Sequence, residues 1–211
     1  MSRMDEREGH VFYTGPRMVQ HLDARALETV NALYRRLIRA GADVLDLMAS
    51  YDSHLQGCSP NSLQVLGLNA QELDANAAAT ARLVQDLNQS KRLPLDDASV
   101  DAVVCTASVE YLVEPREIFT EVLRILRPGG VFVTSFSNRW FPTKAIQIWG
   151  ELHEFERVGM VTQWFQQAGF HGLHTLSSRG WARPQNDPHY GETAVSDPVY
   201  AVWGFKPSDR D

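Results

Sequence analysis

The segment from Leu93 to Ser137 constrains this chain most. "LPLDDASVDAVVCTAS" is a turn-rich lead into an apolar run at Val100 to Thr106. "EPREIFTEVLRIL" follows, with Ile118, Val122, Leu123 and Leu126 on one helical stripe. "RPGG" then reads as a glycine stop for that helix, and "VFVTSFS" as the next strand. Two buried strands joined by one amphipathic helix pair in parallel, because a crossover of that length carries the chain back to the same sheet edge.

The same alternation runs through most of the sequence. "PRMVQHLDARALETVNALYRRLIRAG" has apolar residues at helical spacing, with Pro16 as its start and Gly41 as its stop. "ADVLDL" and "LQVLGLN" (Leu63 to Asn69) are short apolar runs typical of buried strands, and "AQELDANA" after the second reads as helix. "ARLVQDLN" is a third strand. "ELHEFERVGMVTQWFQQAG" is a helix stopping at Gly169, and "HGLHTLSS" and "VYAVWGFK" are two late strands with only a proline-rich loop between them. Without a helical crossover, that last pair is expected to be antiparallel. The polar start, "MSRMDEREGH", reads as a frayed end.

Composition narrows the function. With 211 residues the chain is long enough for one domain with a substantial core. A formal net charge of −6 opposes broad nucleic-acid binding, which needs a basic face. Cys58 and Cys105 match no metal-ligand spacing, so no metal is expected. No apolar run reaches membrane-spanning length and no signal core is present, so the expected location is cytoplasmic.

The order strand, helix, strand, then "LPLDDASVDAVVCTASVEYL", then helix–"LRPGG"–strand resembles the class I S-adenosylmethionine-dependent methyltransferases. Nicotinamide enzymes instead place G-x-G-x-x-G after the first strand, and this chain has none there. "FYTGPRMVQHLD", "VLDLMASYDSHL" and "FSNRWFPTKAIQIW" are also similar to a methyltransferase-like group of cyanobacteria and plants with a glycine-poor first turn. The resemblance implies a Rossmann-like α/β fold: a seven-stranded, mainly parallel sheet with one antiparallel strand near the C-terminus and helices on both faces. The expected organisation is one domain over 1–211, a helical segment over 1–40 and an α/β core over 41–211.

It also implies S-adenosyl-L-methionine as cofactor and transfer of its methyl group to an acceptor that the resemblance does not name; the acidic balance and the lack of a basic groove point to a small molecule rather than nucleic acid. The alternative is a non-catalytic relative that binds the cofactor without turnover. Oligomeric state is open. The implied cofactor residues are Asp46, Met48, Ala49 and Ser50 at the first strand's end, Asn69 and Ala70 at the second, Asp86 and Leu87 at the third, and Thr106 and Ala107 at the fourth. Tyr13 and Arg17 are added from a segment folding over the cofactor.

Each carries a plainer role too. The 48–55 turn can be a loop over the sheet edge, Asp46 a loop brace, Asn69 a helix cap for "AQEL", and Asp86 a turn residue. Arg17 and His21, four apart, share a helical face. His54, Glu110, Tyr13 and His21 are the candidate general bases. Arg139, Trp140, Phe141 and Lys144 form either an acceptor-side wall or a helix start at Pro142.

Overall fold

The computed structural model describes residues 1–7, 15–183, 185 and 190–208. Tyr13 lies outside them.

Seven strands form one sheet in the order β3-β2-β1-β4-β5-β7-β6. They are β1 (Asp43–Leu47), β2 (Ser62–Gly67), β3 (Ala81–Val84), β4 (Val100–Thr106), β5 (Leu126–Phe136), β6 (His171–Ser178) and β7 (Val199–Phe205). The pairs among β1 to β5 are parallel, and β7 runs antiparallel to both β5 and β6, so β7 alone is reversed. The helices are α1 (Ala24–Leu37), α2 (Ala70–Ala75), α3 (Pro115–Ile125), α4 (Gln147–Glu151) and α5 (Glu154–Ala168). A 3-10 turn, Val109–Tyr111, follows β4. None of the described helices is long and apolar enough to cross a membrane.

Strand alternation divides the apolar residues between two cores. Leu45, Leu47, Val103, Cys105, Phe132 and Phe136 pack on one face with Phe119 of α3 and Trp164 of α5. Val44, Val65, Ala102, Val104, Val131 and Val133 pack on the other with Val30 and Tyr34 of α1 and Leu73 of α2. The Tyr34 hydroxyl bonds Thr106 Oγ1 at 2.6 Å and Ser135 Oγ at 3.2 Å, which ties α1 to the ends of β4 and β5.

Three expectations from the sequence are corrected. The first helix begins at Ala24, not Pro16, because Asp23 caps it by accepting from Ala26 N at 2.9 Å. It ends at Leu37, short of Gly41, so residues 1–40 are helical only over 24–37. Helix α3 ends with Leu126 as its cap, and the "RPGG" glycines fall within the β5 span, beside a register shift opposite β4. The polar start is not frayed over its first seven residues. Arg3 bridges Ile146, Asp5 N donates to Thr143 O at 2.9 Å, and Gln147 N donates to Ser2 O at 2.9 Å. Helix α5 does end on Gly169, at φ 96°.

One glycine in the sheet is required by packing. A Cβ on Gly67 would sit 2.2 Å from the Ala49 carbonyl oxygen, and Ala49 N donates to Leu66 O at 2.7 Å. The turn after β1 therefore lies directly on the end of β2. Gly67→Ala should lower stability by roughly 1–3 kcal/mol through overpacking against fixed backbone; denaturant melts of the two proteins measure this.

Candidate functional site

The carboxyl ends of β1, β2 and β4 border one cleft, the place where ligands of open α/β sheets bind. Asp46, Met48, Ala49 and Ser50 line it from β1, Asn69 from β2, Asp86 and Leu87 from β3, and Thr106 and Ala107 from β4. His21 and His54 line it too.

Three expected residues stand off the cleft, and His21 lines it without the expected helix. Ala70 is exposed on the first turn of α2 and does not line the cleft. Arg17 is not helical. Its guanidinium lies 4.9 Å over the Phe141 ring, and its backbone N donates to Glu72 Oε1 at 2.7 Å, so it stands behind the wall. His21 likewise lies on no helix, and its ring meets Phe141 edge-on at 5.7 Å. Glu110 is fully buried away from the cleft, with Oε2 lacking a hydrogen-bond partner.

The turn after β1 lacks glycine yet reaches the cleft through a strained residue. Met48 takes the left-handed conformation at φ 61°. His54 at 53° and Ala107 at 49° do the same, and all three line the cleft. Each costs on the order of 1–2 kcal/mol in a residue bearing a Cβ, and such strain gathers at functional sites. Side chains from α2 hold the turn in place. Ser50 Oγ donates to Glu72 Oε2 at 2.7 Å, and Asn76 Nδ2 donates to Ser50 O at 3.0 Å and Ser53 Oγ at 2.9 Å.

Asn69 does act as a cap: its Oδ1 accepts from Gln71 N at 2.9 Å and Glu72 N at 3.2 Å. Asp86 closes a turn, accepting from Asn88 N at 2.8 Å. Asn88 in turn donates to Tyr111 O and accepts from Val113 N, which fixes the loop to the 3-10 turn. Phe141 and Lys144 line the cleft from the segment after β5, which forms turns there and not a helix start at Pro142. Arg139 instead binds Asp197 at 2.7 Å, and Trp140 lies under Arg157, 4.2 Å from its guanidinium carbon.

Ser108 and Tyr111 also line the cleft, where the sequence places them just past the end of β4, on the methionine and acceptor sides. Glu72 and Arg3 line it too and carry no site reading in the sequence; for Glu72 a signal is present, an acidic residue three places after a capping Asn.

Burial raises the Asp46 carboxyl to about 7, against the opposing bond from Ser53 and the charge of His54. His54 Nδ1 lies 3.3 Å from Asp52 Oδ2, and this contact holds the Asp52 carboxyl well below the usual range. Burial also lowers the His21 pKa.

Residues 45–134 match the family model of the methyltransferase domain. A Mycolicibacterium smegmatis protein named "probable S-adenosylmethionine-dependent methyltransferase" is 36% identical over 187 residues, covering 84% of this chain and 72% of that protein. This chain belongs to the S-adenosylmethionine-dependent methyltransferases. Two solved structures share the methyltransferase's fold. A Haloferax volcanii protein in complex with the Trm112 methyltransferase activator superposes with a TM-score of 0.62 at 20% identity, over 87% of this chain and 90% of that one. A Haemonchus contortus phosphoethanolamine N-methyltransferase, solved with S-adenosyl-L-methionine, gives 0.58 at 12% identity, over 85% and 53%.

The residues present fit that cofactor. Small side chains at Ala49, Ser50 and Ala107 leave room against the backbone, and carboxylates at Asp46, Asp52 and Glu72 suit a cation.

The buried carboxyls set a pH signature. Burial pushes Glu110 from an ordinary 4.5 up to about 8. The folded chain therefore holds this proton more tightly than the unfolded chain. The stabilisation is complete below about 4.5 and is lost as pH rises toward about 8. Melts from pH 5 to 9 should show Glu110→Gln gaining on the wild type with rising pH, by up to a few kcal/mol. Parallel curves would mean that Glu110 titrates normally.

Proposed function

We propose that this methyltransferase carries a methyl group from S-adenosyl-L-methionine to a small-molecule acceptor, with the cofactor lying across the ends of β1, β2 and β4. The observation that carries this reading is the convergence of Asp46, Met48, Ala49, Ser50, Asn69, Asp86, Leu87, Thr106 and Ala107 on one cleft. The bound cofactor supplies an activated sulfonium methyl. The chain's own task is to orient the partners, which is worth up to about 7–11 kcal/mol in well-aligned cases. Asp46, buried at the end of β1, offers a carboxylate to a cationic centre once ionised. Asp86 and Leu87 suit the adenine end, and Asn69 the ribose.

For an acceptor that loses a proton, His54 is the cleft's base, its ring set against Asp52. Glu110 lies too deep for that role and His21 stands against Phe141. The glycine-poor turn belongs, on this reading, to the cyanobacterial and plant group's variant of the site. It leaves the cleft open, which favours turnover over a binding-only relative. The same reading treats the chain as one methyltransferase domain working in the cytoplasm.

Titration with S-adenosylhomocysteine and the variant Ser50→Leu tests this. Leucine at 50 removes the donor to Glu72 and adds bulk where the methionine end lies. Affinity should fall at least tenfold, about 1.4 kcal/mol, with stability down by roughly 1–3 kcal/mol from the unpaired Glu72 oxygen. Wild type that fails to bind at millimolar ligand, or a folded variant with unchanged affinity, would remove the cofactor assignment.

A further inference from the structure

The cleft has two electrically different ends. Asp46, Asp52 and Glu72 stand at the β1–α2 end, and Arg3 and Lys144 at the end beside the segment after β5. Lys144 is engaged there: its Nζ lies 3.1 Å from Asp5 Oδ2 and donates to Arg7 O at 3.0 Å. Arg3 is placed differently. Its side chain is only 8% exposed, yet its Nε is buried with no hydrogen-bond partner. The carboxylate paired with it is Glu6, 3.9 Å away on a residue whose side chain is 61% exposed. At that distance and exposure the pair contributes little.

The backbone that carries Arg3 is fixed, not loose. It bridges Ile146, and its neighbours Ser2 and Asp5 bond Gln147 and Thr143. A largely buried arginine whose Nε has no hydrogen-bond partner and whose nearest carboxylate lies 3.9 Å away matches an oxyanion, which a guanidinium can take with two parallel N–H bonds. Phe141 and Tyr111 stand in the same wall, their rings 6.3 Å apart, and Tyr111 Oη accepts from Phe141 N at 2.9 Å. The two rings line the same cleft as Arg3, with one face of Phe141 covered by Arg17.

We infer that Arg3 binds a carboxylate or phosphate on the methyl acceptor, so that the acceptor is a small acid carrying a flat or apolar body. This rests on the proposed cofactor reading. The acceptor is favoured over the cofactor's own carboxylate as the source of the anion. Arg3 is anchored to residues 143–147 after β5, whereas the turn expected to hold the cofactor's methionine end follows β1.

The test uses the full chain loaded with S-adenosylhomocysteine and titrated calorimetrically with benzoate, phenyl phosphate and neutral benzamide. At least one anion should bind the wild type more tightly than benzamide does. Arg3→Gln should weaken that anion at least tenfold, leave S-adenosylhomocysteine affinity within about twofold, and keep the melting temperature; a tenfold loss is about 1.4 kcal/mol. Arg3→Lys should restore only part, since it keeps the charge and loses the fork. If S-adenosylhomocysteine affinity itself falls tenfold in Arg3→Gln, the anion is the cofactor's and the inference is overturned. Failure of both anions to bind the loaded wild type, or equal anion affinity in wild type and Arg3→Gln, also overturns it. Failure of the wild type to bind S-adenosylhomocysteine at all would instead bring down the cofactor reading beneath it.

Discussion

A largely parallel sheet covered on both faces has no free face on which to do chemistry. Here Val44 and Leu45, adjacent in β1, are both fully buried, one in each core. The same double burial holds for Val103 and Val104, and for Phe132 and Val133. Polar groups are driven to the strand ends, where water or ligand can satisfy them. At the amino ends they neutralise one another: Asp43 and Asp101 share Arg127. At the carboxyl ends they open onto the cleft. The location of the cleft thus follows from the burial pattern before any particular residue is considered.

Within that frame, the chain meets the need for close approach in an uncommon way. The glycine stands on β2, at Gly67, and the turn that presses against it carries side chains. Met48 adopts a conformation costly for a residue with a Cβ. The bonds from Glu72 and Asn76 to Ser50 and Ser53 oppose the turn's relaxation. Glycine gives a turn its shape through backbone freedom, whereas this turn is given its shape by neighbours.

The legible parts of the sequence were those where one signal dominated. Strand β4 and helix α3 were bounded by turn chemistry and a clear apolar stripe, and the missing crossover before β7 fixed its direction. The first helix was misjudged because helical spacing continues upstream of Asp23, whose capping bond decides the start only in three dimensions. At the site, residues ending strands were found, since strand ends converge by topology. Arg17 and Glu110 stand off the cleft because their positions depend on long-range packing, Arg17 against Phe141 and Glu110 in a buried 3-10 turn bonded to Ile146. Arg3 was unreadable for the same reason: its place is set by pairing with Ile146, 143 residues away. Phe141 and Lys144, read from the sequence as a wall after β5, do line the cleft, because they follow directly on a strand end.

Helix α2 is six residues long, about 9 Å, yet it touches both halves of the cleft. Asn69, its cap, stands at the end of β2, and Glu72 and Asn76 grip the turn after β1. The two halves are therefore mounted on one short rigid lever. A substitution that shifts Glu72 or Asn76 therefore acts on both halves at once. The glycine-poor turn has given up independent movement in exchange for mechanical registration with the neighbouring strand.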